Sequence, residues 1–149
     1  MALPQRAEQL QRAASPPEPK AEAWASGREA YQLLRVGFAA LPILAGADKF
    51  FNVLGPWRSY LASEIPDLLG VSSQSVMHAV GALEILAGLM VIFRPSVGGW
   101  LVAVWLWAIV GNLLILPGYY DVALRDLALS LGAIALARLA QHFGQAGTR

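Results

Sequence analysis

Cysteine is absent from this chain of 149 residues. Thiol–disulfide relay, iron–sulfur ligation and haem attachment through C-x-x-C-H therefore lie outside the chemistry of the chain alone. Histidine is nearly as scarce. Only His78 and His142 occur, at opposite boundaries of the apolar part, which argues against a bis-histidine haem, and no cluster has metal-ligand spacing. No serine or histidine constellation supports nucleophilic catalysis, so the chain has no autonomous catalytic set. Charge is the third shortage: 14% of residues are charged, against about 25% in an ordinary soluble domain. The net charge of +1 comes without clustered Lys/Arg and interleaved aromatics, which argues against nucleic acid as a partner.

What fills the chain instead is apolar sequence. Hydrophobic residues make up 56% and the mean hydropathy is +0.50. Four apolar runs follow in order, roughly 33–47, 76–93, 97–116 and 122–139. With its flanks, each approaches the ~17–25 residues that a membrane-crossing helix needs. The expected fold is all-α: a transmembrane four-helix up-down bundle, with a short interfacial helix in the first loop. The lipid bilayer is then the main solvent.

The first segment differs in kind. Pro4, Pro16, Pro17 and Pro19 are mixed with Arg6, Glu8, Arg12, Glu18, Lys20 and Glu22, too little apolar area to fold alone. Residues 1–28 read as a flexible cytoplasmic tail with an interfacial turn around Trp24, either dispensable or a docking segment. Residues 29–140 form the membrane domain and 141–149 a short C-terminal tail. Arg28, Arg35 and Ala45-Gly46-Ala47 imitate a cleaved signal peptide. The long polar lead and the continuation into Asp48-Lys49-Phe50 argue against cleavage.

The first span is expected over 29–51, kinked by Pro42, which removes a backbone donor opposite Phe38. In the loop that follows, 56–63 suits an interfacial helix carrying Trp57 and Tyr60 at headgroup depth. The Ser72-Ser73-Gln74-Ser75 cluster offers N-cap oxygens to the second span. Arg94-Pro95-Ser96 and the stretch from Pro117 to Asp121 are tight turns, the latter with Asp121 as N-cap. An even number of spans puts both termini on one side. Lys20, Arg28, Arg94, Arg138 and Arg149 lie there, against Lys49, Arg58 and Arg125 on the other, so both termini are expected in the cytoplasm of a bacterial inner-membrane protein.

Polar residues inside the spans carry the functional reading. Glu84 sits in the middle of the second run, where an unanswered carboxylate costs roughly 2.5–3.5 kcal/mol on insertion scales. Gly81 and Gly88 share its helix face and let another backbone approach closely. The first span has a matching stripe, Arg35, Pro42, Gly46 and Lys49. Arg125 and Asp126, one turn into the fourth span, diverge by about 100 degrees and must serve different neighbours. Asn112 is the only strongly polar group of the third span. By depth, an extended Arg125 comes within reach of Glu84, and Lys49, Asp48, Asp126 and His78 crowd the same half. These residues suggest a pocket that opens outward and narrows to Glu84, with Arg35 as a separate inner charge. Structural pairing, ligand binding and proton or ion movement all remain open.

Arg35, the ending Gly46-Ala47-Asp48-Lys49-Phe50, the pattern Gly81-x-x-Glu84-Ile85-x-Ala87-Gly88 and the opening Arg125-Asp126-Leu127-Ala128-Leu129 resemble the DoxX family of small four-helix bacterial membrane proteins. The likeness covers about 31–139 and leaves the N-terminal tail outside. It implies an accessory or binding subunit of a redox, quinone-linked membrane complex, with the family's polar residues carried onto Arg35, Lys49, Glu84, Arg125 and Asp126. A quinone is the cofactor it suggests, and other membrane subunits or further copies of the chain are the partners. The missing cysteines put thiol chemistry in doubt. A non-enzymatic scaffold or assembly factor is the alternative, and a small-solute or proton pathway the second alternative.

Overall fold

The structure, a computed structural model, describes residues 19–144, with side chains from residue 22 onward. The described residues are helical, with no strand. The order is α1 (Pro19–Phe51), a 3-10 helix (Trp57–Tyr60), α2 (Glu64–Leu69), α3 (Ser73–Phe93), α4 (Pro95–Ile115) and α5 (Tyr120–Phe143). Among the described residues, three helices are long and apolar enough to cross a membrane: Glu22–Phe51, Ser73–Phe93 and Pro95–Ile115. The fourth long helix, α5, falls short of that mark because Asp121, Arg125, Asp126 and Arg138 dilute its apolar surface.

The chain divides into two units, Met1–Ala30 and Tyr31–Arg149. The described part of the first is the opening of α1, exposed from Glu22 on except at half-buried Gly27. Helix stands here in place of the turn expected at Trp24. Proline is tolerated at the first helical position, and Ala21, Glu22, Ala23, Ala25, Arg28 and Glu29 supply strong helix formers behind it. The rest of the expected tail, 1–18, and residues 145–149 lie outside the described residues.

In the second unit the long helices run antiparallel to their neighbours. Gly46 of α1 meets Gly81 of α3 while Ala39 and Ile43 meet Gly88, so one number falls as the other rises. Gly99 of α4 meets Ala133 and Ala137 of α5, while Trp107 reaches Ser130. Phe38 of α1 lies on Gly132 of α5, and Tyr31 stacks on Phe143. Val91, Val102, Ala133 and Leu136 form the centre of the buried cluster. Large apolar side chains such as Leu33, Leu44, Phe93, Val104 and Leu131 remain exposed. Outward apolar surface of this extent is compatible with contact to a lipid bilayer, and is a liability in water.

The connections follow local chemistry. The Ser72 hydroxyl accepts the Ser75 N–H and caps α3 as expected. Arg94 alone separates α3 from α4, which opens with Pro95. Two expectations are corrected. In place of one interfacial helix over 56–63 stand a single 3-10 turn and the six-residue α2, which accommodates Pro66 because an early helical position has no intrahelical partner for its N–H. Asp121 is not the N-cap of α5. Tyr119 holds that position, and the Asp121 carboxylate, already inside the first turn, points along the helix to Arg125. Helix α1 continues through Pro42.

Candidate functional site

Two glycines bring α1 and α3 together. A Cβ on Gly46 would lie 2.5 Å from the Gly81 carbonyl oxygen, and one on Gly81 would lie 2.6 Å from the Gly46 carbonyl oxygen. Only hydrogen fits at either position, so the backbones touch. One turn away from this contact, the Lys49 ammonium of α1 donates to Glu84 Oε2 of α3 at 2.6 Å, with both side chains buried. The partner that Glu84 needs is therefore Lys49. A charged donor and acceptor at this separation make a strong bond, and away from water neither group can be left alone cheaply.

Arg125 does not reach Glu84, which corrects the depth argument. Its guanidinium donates to Asp121 Oδ2 at 2.8 Å, an exposed pair four residues apart on α5. A partner within the same helix face needs no extension of the side chain and no desolvation, so it wins over a buried one. His78 is also turned aside: its Nε2 shares a hydrogen bond with Gln74 at 2.6 Å, and its ring stacks on Phe50. Arg35 is separate, as expected, and donates to the Ile92 carbonyl at 2.7 Å. That carbonyl belongs to the last turn of α3, which lacks intrahelical donors and favours a cation.

The loop after α1 is tied down by two residues. Asp48 Oδ1 accepts Val53 N–H at 2.9 Å, while its Oδ2 accepts Leu54 N–H at 2.9 Å and the Trp57 indole N–H at 2.6 Å. Asn52 permits the sharp exit from the helix at φ 55°, a left-handed conformation that asparagine adopts more readily than most residues. At the far end, Asn112 of α4 accepts Ala62 N–H at 2.9 Å and donates to the Tyr60 carbonyl at 2.6 Å. The indole of Trp57 thus meets two adjacent residues of opposite charge: Asp48 holds its edge and the Lys49 ammonium lies 3.9 Å from its ring centroid.

Beneath this loop is a cavity of about 580 Å³, walled mainly by apolar side chains of α1, α3, α4 and α5. Its polar and charged lining comprises Lys49, Glu84, Asn112, Arg125 and Asp126, and its aromatic lining Phe38, Trp57, Tyr60 and Trp105. Five of the eight polar residues singled out in the sequence therefore share one cavity, while Arg35, Asp48 and His78 stand outside its lining. The Trp105 indole nitrogen is buried without a hydrogen-bond partner among the described residues. No group of three or more His, Asp or Glu among the described residues is placed to hold a metal ion.

Trp57 escaped the sequence reading as a site residue, and Asp48, expected in the pocket, instead holds the loop and that indole. One signal was there: a carboxylate in the last helical turn opposes the helix dipole and must find N–H donors beyond the helix end. Scanned against family models, curated proteins and solved structures, the chain gives no match.

Proposed function

We propose that the chain is a DoxX-like integral membrane protein that acts as the accessory, ligand-binding subunit of a redox membrane complex. In this reading α5 crosses the bilayer with α1, α3 and α4 as a four-helix bundle. Of its charged residues, Asp126 is half-buried beside the cavity, while Asp121 and Arg125 answer each other one turn apart near the helix start, as charges at a membrane boundary require. The distribution of Lys and Arg supports cytoplasmic termini in a bacterial inner membrane.

The observation that carries the proposal is the cavity itself. Its volume of about 580 Å³ falls inside the ~300–1,000 Å³ span of small-molecule sites, and apolar walls with a few convergent polar groups are their usual lining. A lipid-soluble molecule enters such a site from the bilayer. The family resemblance suggests a quinone, whose carbonyls would take hydrogen bonds from the Lys49 ammonium, with Glu84 beside it to exchange a proton. The protein supplies no electron carrier in this scheme; the redox chemistry belongs to the ligand and the partner subunits.

Purification from native membrane followed by extraction and chromatography of bound lipids tests the proposal. Copurified quinone, with weaker decylubiquinone binding by Glu84→Gln than by wild type, is the expected result. Equal binding by both proteins removes Glu84 from the site.

A further inference from the structure

The charges lining the cavity do not all find partners. Four charged side chains border it: Lys49, Glu84, Arg125 and Asp126. Lys49 is engaged by Glu84 and Arg125 by Asp121. Asp126 makes no hydrogen bond and no ion pair among the described residues, although Arg125 first, then Glu84 and Lys49, are within electrostatic reach. It is half-buried in α5. Once the two ion pairs are set aside, the Asp126 carboxylate is left without a bonded partner at the border of a mainly apolar, partly open cavity, where a charge is costly to the extent that no opposite one answers it.

The wall supplies a second, independent observation. Trp57, Tyr60 and Trp105 border the same space, and aromatic faces attract cations through their quadrupole. One of them already does so here, since the Lys49 ammonium lies over the Trp57 ring at 3.9 Å.

We propose that the cavity binds a lipophilic monocation, an amine or quaternary ammonium on an apolar body, with its charge answered by Asp126 and by the aromatic wall. This inference rests on the cavity being a ligand site and narrows the head group that fits there. A quinone head is neutral and only accepts hydrogen bonds, so it meets Lys49 but leaves Asp126 unanswered. An anionic amphiphile would bring its charge against an unpaired carboxylate. A cation with an aromatic or aliphatic body satisfies both the leftover charge and the apolar walls.

The test uses the full chain in nanodiscs of zwitterionic phosphatidylcholine, so that no anionic lipid attracts the probe. Benzyltrimethylammonium is compared with neopentylbenzene, its neutral isostere, and with decylubiquinone, empty nanodiscs correcting each for partition into lipid. The expected result is binding of the cation about tenfold or more tighter than of the isostere. Asp126→Asn should remove that advantage and leave neopentylbenzene binding unchanged. Equal binding of cation and isostere by wild type overturns the proposal without need of any variant. A cation preference that survives Asp126→Asn overturns the role given to Asp126. Binding of decylubiquinone or neopentylbenzene without the cation keeps the cavity as a ligand site and overturns the cationic head, whereas binding of none of the three overturns both readings.

Discussion

Lys49 and Glu84 meet at 2.6 Å across the interface of α1 and α3, both buried, beside the point where Gly46 and Gly81 let the two backbones touch. The ion pair and the glycine contact lie along one shared helix interface. Larger residues at the glycines would part the helices and pull the charges apart, while loss of either charge would leave the other stranded in a dry contact.

Removing one charge should therefore cost more than removing both. Glu84→Ala leaves a buried ammonium without its partner and should lower stability by about 3–5 kcal/mol. Glu84→Gln keeps a hydrogen-bond acceptor and should be milder. The double replacement Lys49→Met with Glu84→Met should recover much of the loss, since apolar groups of similar volume often match a buried pair. Denaturant unfolding in detergent micelles gives the ranking. A double variant no better than Glu84→Ala would show that the pair is not a closed unit.

The exposed pair on α5 should behave differently. Arg125 and Asp121 hold each other at 2.8 Å with most of both side chains in the open. Pairs of this kind on a helix are worth about 0.3–0.5 kcal/mol. Arg125→Gln should thus shift unfolding barely at all, and a loss comparable with that of Glu84→Ala would mean that Arg125 serves the buried cluster after all.

This contrast marks where sequence reasoning reached and where it stopped. The face shared by Gly81, Glu84 and Gly88 was legible because helical periodicity fixes it locally, and the stripe through Gly46 and Lys49 was legible for the same reason. The choice between Lys49 and Arg125 as the partner of Glu84 was not. It depends on which helices are neighbours and on a local competitor, Asp121, that sits one turn from Arg125. The Asp48–Trp57 bond was hidden too, because it joins residues across an irregular segment with no period to read. Helix α5 shows the reverse problem: its apolar run is easily seen, but its charges keep it from qualifying as a span by composition alone.

The loop bonds make a prediction of their own. Asp48 accepts three hydrogen bonds from residues 53–57, whereas Asn112 bonds Tyr60 and Ala62. Asp48→Ala should speed amide hydrogen exchange at Val53 and Leu54, and Asn112→Ala at Ala62, because each amide loses the side-chain acceptor it bonds. Exchange measured by mass spectrometry on both variants resolves the two ends of the loop. Uniform acceleration over the whole protein in either variant would instead assign that side chain to global stability.

Close packing at Gly88 supplies the last comparison. A Cβ there would lie 2.6 Å from Ile43 Cγ1 and 2.7 Å from the Ala39 carbonyl oxygen of α1. The isoleucine can shift by a rotamer, but the carbonyl belongs to helix backbone and cannot, so Gly88→Leu must push α1 and α3 apart. Overpacking of this type costs about 1–3 kcal/mol, and here it should also weaken the Lys49–Glu84 contact, because the helices separate along one shared face. Leu89, the next residue, is 36% exposed, so Leu89→Ala removes contacts that are already partial. Thermal unfolding should rank Gly88→Leu well below Leu89→Ala. In the Lys49→Met with Glu84→Met background, the penalty of Gly88→Leu should shrink, since no ion pair remains to be stretched; an undiminished penalty would show that the glycine contact and the charges act independently.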